Sequence, residues 1–385
     1  MLRYLVPFID PDVKSWPVEA RLLRWLTMFW LLFGLVVLFS ASYTLADGRF
    51  EDGLYYIKRQ LIWIWVGLIG LNLITRYPLK YLLNTAGIGL LIVLVMIFLT
   101  LIPGMGETVN GATRWLKIGP VVIQPSELMK PFLVLQSAKV FGSWHRLSVG
   151  QRIGWIGIFG LVLACILLQP NLSTTALCGM SIWLIALASG LRFSYLGGTA
   201  LLGITAAVAS ISFREYQRKR ILSFLNPWAD AKEDGYQLVQ SLLAIGSGDT
   251  WGTGYGLSQQ KLFYLPFPDT DFIFAVFSEE FGLVGGILLL VMLMIYATLA
   301  LRVAIVCQHR VKRLVAIGAM VVLVGQSLLH VGVATGALPT TGLPLPLFSY
   351  GGSSSVASLV LAAVLIRVAR EEPETNKKSG LSVVS

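Results

Sequence analysis

The sequence predicts an all-α, polytopic integral membrane protein. Hydrophobic residues make up 56% of the 385 residues and charged residues only 13%, which is about half the charged fraction of soluble proteins. Uncharged apolar runs long enough to cross the hydrocarbon core of a bilayer recur along the chain. A soluble domain could not bury so much apolar surface, whereas lipid accommodates it.

The apolar runs predict about ten transmembrane helices. Lysine and arginine accumulate in alternate connections, so the positive-inside rule predicts that both termini are cytoplasmic. Residues 1–24 then form a cytoplasmic segment, residues 25–368 the transmembrane domain, and residues 369–385 a polar tail predicted to be disordered. The predicted spans are residues 25–45, 60–75, 81–102, 127–143, 153–168, 172–190, 194–213, 274–301, 313–336 and 351–368.

Several classes of site are excluded by the residues present. Cys165, Cys178 and Cys307 lie in apolar stretches without metal or disulfide spacing, so we interpret them as packing residues. Three histidines in 385 residues argue against a histidine-based metal site. The chain also lacks glycine-rich phosphate fingerprints and any nucleic-acid-binding pattern.

Three connections are predicted to emerge on the extracytoplasmic side: residues 103–126, 214–270 and 338–350. They can therefore converge over one cavity. The longest, 214–270, joins spans 7 and 8, and long ordered loops tend to be functional. Its basic residues include Arg214, Arg218 and Arg220. They form either an inert basic surface, since long translocated loops escape the charge rule, or a site for an anionic lipid headgroup.

Four carboxylates lie at or just inside the start of the span at 274–301: Asp269, Asp271, Glu279 and Glu280. Carboxylates at that depth are costly unless paired or hydrated, and they usually mark a substrate or ion path. The alternative is that Asp271 caps a helix and the glutamates face a polar interior. The Asp-x-Asp triplet at 269–271 is also typical of divalent-cation sites, and proton-coupled transport is a further interpretation of such a cavity.

The first outer connection leads into a helix at Pro125. Glu127 and Lys130 share one helix face, with the acid nearer the N-terminus as the helix dipole prefers. They are either a buried pair that serves only packing or part of a cationic region with Arg114 and Lys117.

The last outer connection is rich in proline and passes through Gly351 and Gly352 to Ser353. Non-helical backbone at membrane depth must be buried in protein or line a wet cavity. Backbone N–H groups at this helix start would suit a phosphate, although a plain glycine turn explains the same residues.

Together these stretches resemble the SEDS family (shape, elongation, division and sporulation), which includes FtsW and RodA. The matching motifs occur in order, and the resemblance extends from about residue 25 to residue 368. Residues 40–42 and 338–342 resemble FtsW more than RodA. The matching stretches are residues 110–130, 220–227, 235–240, 261–282 and 336–353.

The resemblance implies a peptidoglycan glycosyltransferase that polymerises lipid II, an undecaprenyl-pyrophosphate-linked disaccharide pentapeptide, outside the bacterial cytoplasmic (inner) membrane. It implies that the partners are a class B penicillin-binding transpeptidase (FtsI-like), other division proteins at the septum, and the surrounding membrane lipids. The family's essential aspartate falls on Asp271 and its motif glutamate on Glu127. Asn171, Asp269 and His330 depart from the family pattern.

Sugar transfer needs a base for the acceptor hydroxyl, and Asp271 is the predicted base. The departing pyrophosphate needs positive charge, which lysines and arginines could supply, and a Mg²⁺ or Mn²⁺ ion could share that work. The alternatives are a lipid II flippase, a RodA-like elongation polymerase and a non-catalytic scaffold. The candidate substrate-binding residues are Arg114, Lys117, Glu127, Lys130, Arg214, Arg218, Arg220, Gln237, Ser349, Gly351, Gly352 and Ser353.

Overall fold

The computed structural model describes residues 11–109, 112–119 and 121–381. Short 3₁₀ segments precede and connect the main elements. The helices are α1 (Val18–Phe50), α2 (Tyr55–Arg76), α3 (Leu79–Leu101), α4 (Pro125–Gly142), α5 (Val149–Leu168), α6 (Leu172–Ala188), α7 (Phe193–Phe213), α8 (Glu215–Leu225), α9 (Tyr236–Ser247), α10 (Ile273–Val306), α11 (Arg310–Ala334) and α12 (Gly352–Leu381). The strands are β1 (Gly106–Val109), β2 (Ala112–Ile118) and β3 (Val121–Ile123).

The predicted fold class is confirmed, and a helix lies at each of the ten predicted spans. Eight of the helices within the described ranges are long and apolar enough to cross a membrane. The other two are α4, which carries three charged side chains, and α6, which has 17 residues. A count of ten spans therefore stays a prediction.

Helix α12 lies at the centre of the bundle and α7 at its edge. In α12, 83% of the most apolar stretch is buried inside the protein, against 6% in α7. Small residues let α2 and α12 approach closely, because an added methyl at Gly67 would lie 2.5 Å from Leu359 Cδ1. Side chains facing lipid need only be apolar, which explains why α7 is hydrophobic without being packed.

Helix α12 continues past residue 368, the predicted end of the transmembrane domain. Arg370 Nη1 donates to the Thr75 carbonyl at 3.1 Å, and Glu371 accepts from the Leu79 backbone N–H at 2.6 Å. The start of the predicted disordered tail is thus fixed to the end of α2 and the start of α3. The helix extends to Leu381, and residues 382–385 lie outside the described residues.

The first outer connection forms a three-stranded antiparallel sheet that the sequence analysis did not predict. In its register Glu107 lies opposite Trp115 and Thr108 opposite Thr113, which leaves Arg114 as the extra residue of a β-bulge. Bulges change the direction in which a side chain points and are common beside active sites.

The three outer connections lie at one end of the bundle, where the second contacts the third and the first contacts the start of α12. Arg220 Nη1 donates to the Thr340 carbonyl at 3.3 Å, and the Tyr350 backbone N–H donates to the Asp269 carbonyl at 2.9 Å. The Gln124 N–H donates to Ser353 Oγ at 2.9 Å. We call this end of the bundle the site face and the other end the opposite face.

Helix α10 is interrupted at Gly282, where φ is +64° and ψ is −166°. The break leaves carbonyls of the first part without helical partners, and the preceding connection supplies them. Thr253 and Gly254 donate their N–H groups to the Glu279 and Glu280 carbonyls at 2.9 and 3.1 Å. Backbone polar groups at membrane depth must be paired within the protein. The 249–254 segment is therefore needed to complete the hydrogen bonding of α10 at its break.

The break predicts that Gly282→Ala is strongly destabilising. Its backbone conformation is essentially restricted to glycine, and a Cβ would lie 2.3 Å from the Gly252 nitrogen. We expect a loss on the order of 3 kcal/mol in unfolding free energy, measured as a lower thermal unfolding midpoint of detergent-solubilised protein. The control is Gly286→Ala in regular helix, where the nearest atom is 3.8 Å away. Equal midpoints for the two variants would contradict the prediction.

Candidate active site at the start of helix α10

Glu279 is buried and binds the chain that precedes α10. Its carboxylate accepts from Ser258 Oγ at 2.5 Å, from the Gln259 N–H at 2.9 Å and from the Gln260 N–H at 3.3 Å. These donors satisfy a charge that would otherwise be costly away from water. Glu279 therefore has a structural role. This agrees with the alternative interpretation, in which the glutamates face a polar interior of the protein.

Glu280 forms a buried network with two side chains that the sequence analysis did not select. Lys261 Nζ lies 2.6 Å from Glu280 Oε1, and Ser40 Oγ donates to the same oxygen at 2.6 Å. Lys261 Nζ also donates to Ser40 at 2.7 Å. Lys261 is 5% and Glu280 1% exposed. The sequence did offer one indication of this ion pair: the stretch 261–282, which resembles the family, includes both Lys261 and Glu280.

Asp269 is buried beneath the last outer connection. Ser349 Oγ donates to the carbonyl of the next residue, Thr270, at 2.7 Å, which holds this segment against the last outer connection just before α12. Burial is the main reason why the pKa of Asp269 is raised to about 6, and the negative charge of Asp271 acts in the same direction. The charge on Asp271 therefore disfavours ionisation of Asp269.

Asp271 lies two residues before α10 and is half-buried. Within the described part of the chain, its carboxylate accepts no hydrogen bond from another residue. Burial raises the pKa of Asp271, and the positive charges of Arg220 and then Arg114 oppose that rise. A Cβ at Gly342, whose φ is +70°, would lie 3.4 Å from Asp271 Oδ2. The last outer connection therefore passes directly beside this carboxylate.

Two different elements bring the arginines to Asp271. Arg220 extends from α8 and is anchored to Thr340. Arg114 occupies the bulge of β2 and donates to the Gln169 and Pro170 carbonyls. Two of the cations proposed for the pyrophosphate, Arg220 and Arg114, thus lie near enough to Asp271 for their charges to act on it.

Other predicted cations do not reach Asp271. Lys117 and Arg218 are exposed, because Lys117 lies beyond the bulge and Arg218 on the outer side of α8. Arg214 is half-buried, and its Nη1 has no hydrogen-bond partner among the described residues. Gln237 is half-buried on α9, a helix that is fixed to the end of α11.

Glu127 and Lys130 form a buried ion pair, 2.7 Å apart, with each side chain 3% exposed. Lys130 Nζ also donates to Gln326 Oε1 at 2.9 Å, and Gln326 Nε2 donates to the Pro344 carbonyl at 2.7 Å. The predicted use of Lys130 to neutralise a pyrophosphate is not supported, since its ammonium group is already paired. Instead, these residues connect α4 through α11 to the last outer connection, which agrees with a role in shaping the cavity.

The predicted phosphate site at the start of α12 is not supported either. The Gly351 N–H donates to Gln60 Oε1 at 3.2 Å, and Ser353 Oγ accepts from Gln124. Gly352 packs against the Trp63 indole, where a Cβ would lie 2.3 Å from Nε1. Ser349 Oγ is likewise engaged by protein atoms. These groups build a glycine turn, the alternative explanation.

The two remaining departures from the family pattern have structural partners. Asn171 Oδ1 accepts from the Thr174 N–H at 3.3 Å and caps α6. His330 Nδ1 lies 2.8 Å from the Leu343 carbonyl. Asparagine is a favoured N-cap, so its presence at 171 has a local reason.

The acidic residues do not by themselves form a complete metal site. Within the described ranges, no group of three or more histidine, cysteine, aspartate or glutamate side chains could hold a metal ion together. Asp269 and Asp271 would supply only part of the six oxygen ligands that Mg²⁺ prefers. The described residues therefore do not fit the suggested Mg²⁺ or Mn²⁺ ion.

These contacts define a polytopic membrane protein whose site face holds a half-buried carboxylate between two arginines. The profile of the FtsW, RodA and SpoVE cell cycle proteins matches residues 20–374. The chain therefore belongs to this family, and the predicted family is confirmed.

Similar sequences carry related names. The chain is 60% identical over 374 residues to a probable peptidoglycan glycosyltransferase FtsW of Synechocystis sp., covering 97% of this chain and 95% of that protein. It is 50% identical to a putative peptidoglycan glycosyltransferase FtsW of Mesostigma viride, covering 99% and 92%. It is 36% identical to the stage V sporulation protein E of Bacillus subtilis, covering 90% and 95%.

Solved structures share the same fold. A chain from a structure described as a peptidoglycan synthase complex that coordinates polymerization and crosslinking aligns with a TM-score of 0.70 and 28% identity, covering 89% of this chain and 97% of that chain. The rod shape determining protein RodA of Thermus thermophilus aligns with a TM-score of 0.66 and 26% identity, covering 91% and 96%.

The buried network predicts that Lys261→Ala is far more destabilising than loss of an exposed ion pair. Removing Lys261 leaves Glu280 buried without its cation, which costs about 3–5 kcal/mol. The thermal unfolding midpoint of the purified protein should fall accordingly. The control is Lys58→Ala, since the Lys58–Asp52 pair is exposed and such pairs contribute at most about 1 kcal/mol.

A double variant tests whether the effect comes from the ion pair. Lys261→Met combined with Glu280→Gln should be more stable than Lys261→Met alone, because no uncompensated charge remains. A Lys261→Ala variant as stable as Lys58→Ala would contradict the assignment.

Proposed function

We propose that this protein is a peptidoglycan glycosyltransferase that polymerises lipid II at its site face, with Asp271 as the general base. The names of the FtsW relatives support this activity and agree with the predicted enzyme class. The observation that carries the assignment of the base is the contrast between Asp271 and the two buried glutamates of α10. Glu279 and Glu280 are held by protein donors, whereas Asp271 is half-buried, lacks such donors among the described residues and faces two arginines.

The proposed reaction uses each of these groups at a defined atom. The hydroxyl oxygen of the acceptor sugar forms a bond to C1 of the donor sugar, and the bond from C1 to the diphosphate oxygen breaks. The hydroxyl proton passes to the Asp271 carboxylate, and the electron pair leaves with the polyprenyl diphosphate. A general base is most effective when its pKa lies near the operating pH. Burial raises the pKa of Asp271 in that direction.

Arg220 and Arg114 are the proposed stabilisers of the departing diphosphate. Fixed cations aimed at developing negative charge lower the barrier because they need no reorganisation during the reaction. Both guanidinium groups are anchored to backbone carbonyls of other connections. Arg214, with a buried Nη1 that lacks a described partner, is the third candidate for contact with the substrate.

The proposed setting is the bacterial cytoplasmic membrane, with the site face outward and both termini cytoplasmic. The proposed partner is a class B penicillin-binding transpeptidase, with the division septum as the place of action. The structural similarity to a synthase complex that couples polymerization with crosslinking supports such a partner. The FtsW names of the relatives at 50% and 60% identity support the division role.

The first functional prediction concerns Asp271→Asn. Loss of the base should reduce polymerisation of lipid II by at least about 10²-fold, with normal membrane insertion and an unchanged unfolding midpoint. The measurement is the formation of glycan chains by purified protein in detergent.

The same assay separates an enzyme from a flippase, because a flippase yields no product without a sealed compartment. The matched control is Asp52→Asn, an exposed carboxylate of the neighbouring α1–α2 connection. Undiminished glycan synthesis by Asp271→Asn would refute the proposed role of Asp271.

The second functional prediction concerns the pH dependence. Arg220 favours the ionised form of Asp271, so Arg220→Gln should raise the pKa of Asp271 further. The active carboxylate then forms only at higher pH. The acid limb of the pH profile of polymerisation should therefore move to higher pH than in the unmodified protein.

Two further variants give this experiment its controls. Arg220→Lys keeps a positive charge and should leave the acid limb nearer its original position. Lys219→Gln removes an adjacent exposed cation that pairs with Glu215 instead, and it should not move the limb. An unchanged acid limb in Arg220→Gln would show that Asp271 does not limit the rate as a base.

A further inference from the structure

A cavity of about 370 Å³ lies at the opposite face, away from Asp271. It is bounded by the start of α3, the end of α4, the start of α11 and Glu371 of α12. None of its residues takes part in the proposed reaction. The lining residues are Pro78, Leu79, Lys80, Leu83, Asn84, Lys139, Val311, Lys312 and Glu371.

The charges around this cavity do not balance. Three lysines line it, against one carboxylate, Glu371. Lys312 Nζ lies 3.1 Å from one oxygen of Glu371, while the other oxygen accepts from Arg367 at 2.8 Å and from the Leu79 N–H at 2.6 Å. The Glu371 carboxylate is thus fully engaged and cannot neutralise a further lysine.

Lys80 and Lys139 are the cations left without a carboxylate. Lys139 is half-buried, and its ammonium group donates to the Leu83 carbonyl at 3.0 Å. Lys80 is exposed and makes no hydrogen bond or ion pair within the described residues. A half-buried ammonium group at the edge of a membrane is costly unless an anion pairs with it.

The remaining wall of the cavity is apolar, since Leu79, Leu83 and Val311 face it. Tyr77 and Tyr81, at the same end of α2 and α3, are 59% and 63% exposed. Exposed tyrosines of this kind lie at the level of the lipid headgroups. The cavity therefore opens at the membrane–water boundary and combines cations with an apolar wall.

We propose that this cavity binds the headgroup of an anionic phospholipid in the leaflet opposite the active site. The phosphodiester would contact Lys80 and Lys139, and the start of the acyl chains would lie along Leu79, Leu83 and Val311. Basic pockets between transmembrane helices bind acidic headgroups in this way, and the volume lies within the usual range of ligand sites, about 300–1,000 Å³. A bound lipid would join α3 and α4 to α11 and α12. The proposal is independent of the catalytic role of Asp271.

The test measures the thermal unfolding midpoint of the full-length protein in a neutral, phosphate-free detergent. The probes are short-chain phosphatidylglycerol, short-chain phosphatidylcholine and inorganic phosphate. Phosphatidylglycerol should raise the midpoint in a saturable manner, because a ligand that binds only the folded state stabilises it. Phosphatidylcholine and inorganic phosphate should have much smaller effects.

Two variants locate the site. Lys80→Gln and Lys139→Gln should each weaken the apparent affinity for phosphatidylglycerol about five-fold, the usual contribution of one cation near an anionic lipid. Lys80 is exposed, so its replacement should leave the midpoint without lipid unchanged. Lys139→Arg keeps the charge and should bind as the unmodified protein does. Lys58→Gln removes a lysine at the site face and should also bind normally.

Three results would overturn the proposal. An equal response to phosphatidylcholine would remove the requirement for an anionic headgroup. An equal response to inorganic phosphate would indicate a site for a free anion rather than a lipid. Full affinity in Lys80→Gln and Lys139→Gln would place the bound lipid elsewhere on the protein.

Discussion

The cost of burying ionised carboxylates at the start of α10 determines how the site face is built. Glu279 and Glu280 lie where lipid and protein exclude water, so every donor must come from the chain itself. Ser40 from α1 and Lys261 from the long connection supply them to Glu280. Ser258 and the Gln259 and Gln260 N–H groups of the same connection supply them to Glu279. The connection is consequently held to the bundle by buried charge in addition to apolar residues such as Ala244 and Leu265, which pack into the main core.

This arrangement separates anchoring from chemistry within one short stretch. The glutamates inside α10 fix the preceding chain, and the break at Gly282 adds backbone hydrogen bonds to the same chain. Asp271 lies between Lys261 and the two glutamates, in a segment that is therefore restrained at both ends. The last outer connection lies beside it. A reactive group needs such support, because precise placement contributes more to catalysis than the group alone.

The sequence was informative wherever a feature is local. Apolar length placed helices at all ten positions, and the cost of intramembrane charge directed attention to the start of α10. It could not reveal that Lys261 pairs with Glu280 or that Lys130 is already neutralised, because these depend on which charges meet in space. The β-sheet around Arg114 was missed since its strands are short and irregular, and the glycines before α12 were compatible with two explanations until their N–H groups were located.

Helix α11 contains a π-helical turn, Val321–Gly325, just before the glutamine that contacts both Lys130 and Pro344. A π turn accommodates one more residue than an α turn, and each residue rotates a helix by about 100°. Deletion of one residue there would leave a span with nearly the same length and hydropathy, yet Gln326 and His330 would face a different neighbour. Such a lesion would be invisible to any measure of membrane insertion while breaking the contacts that join Lys130 of α4 through Gln326 to the last outer connection.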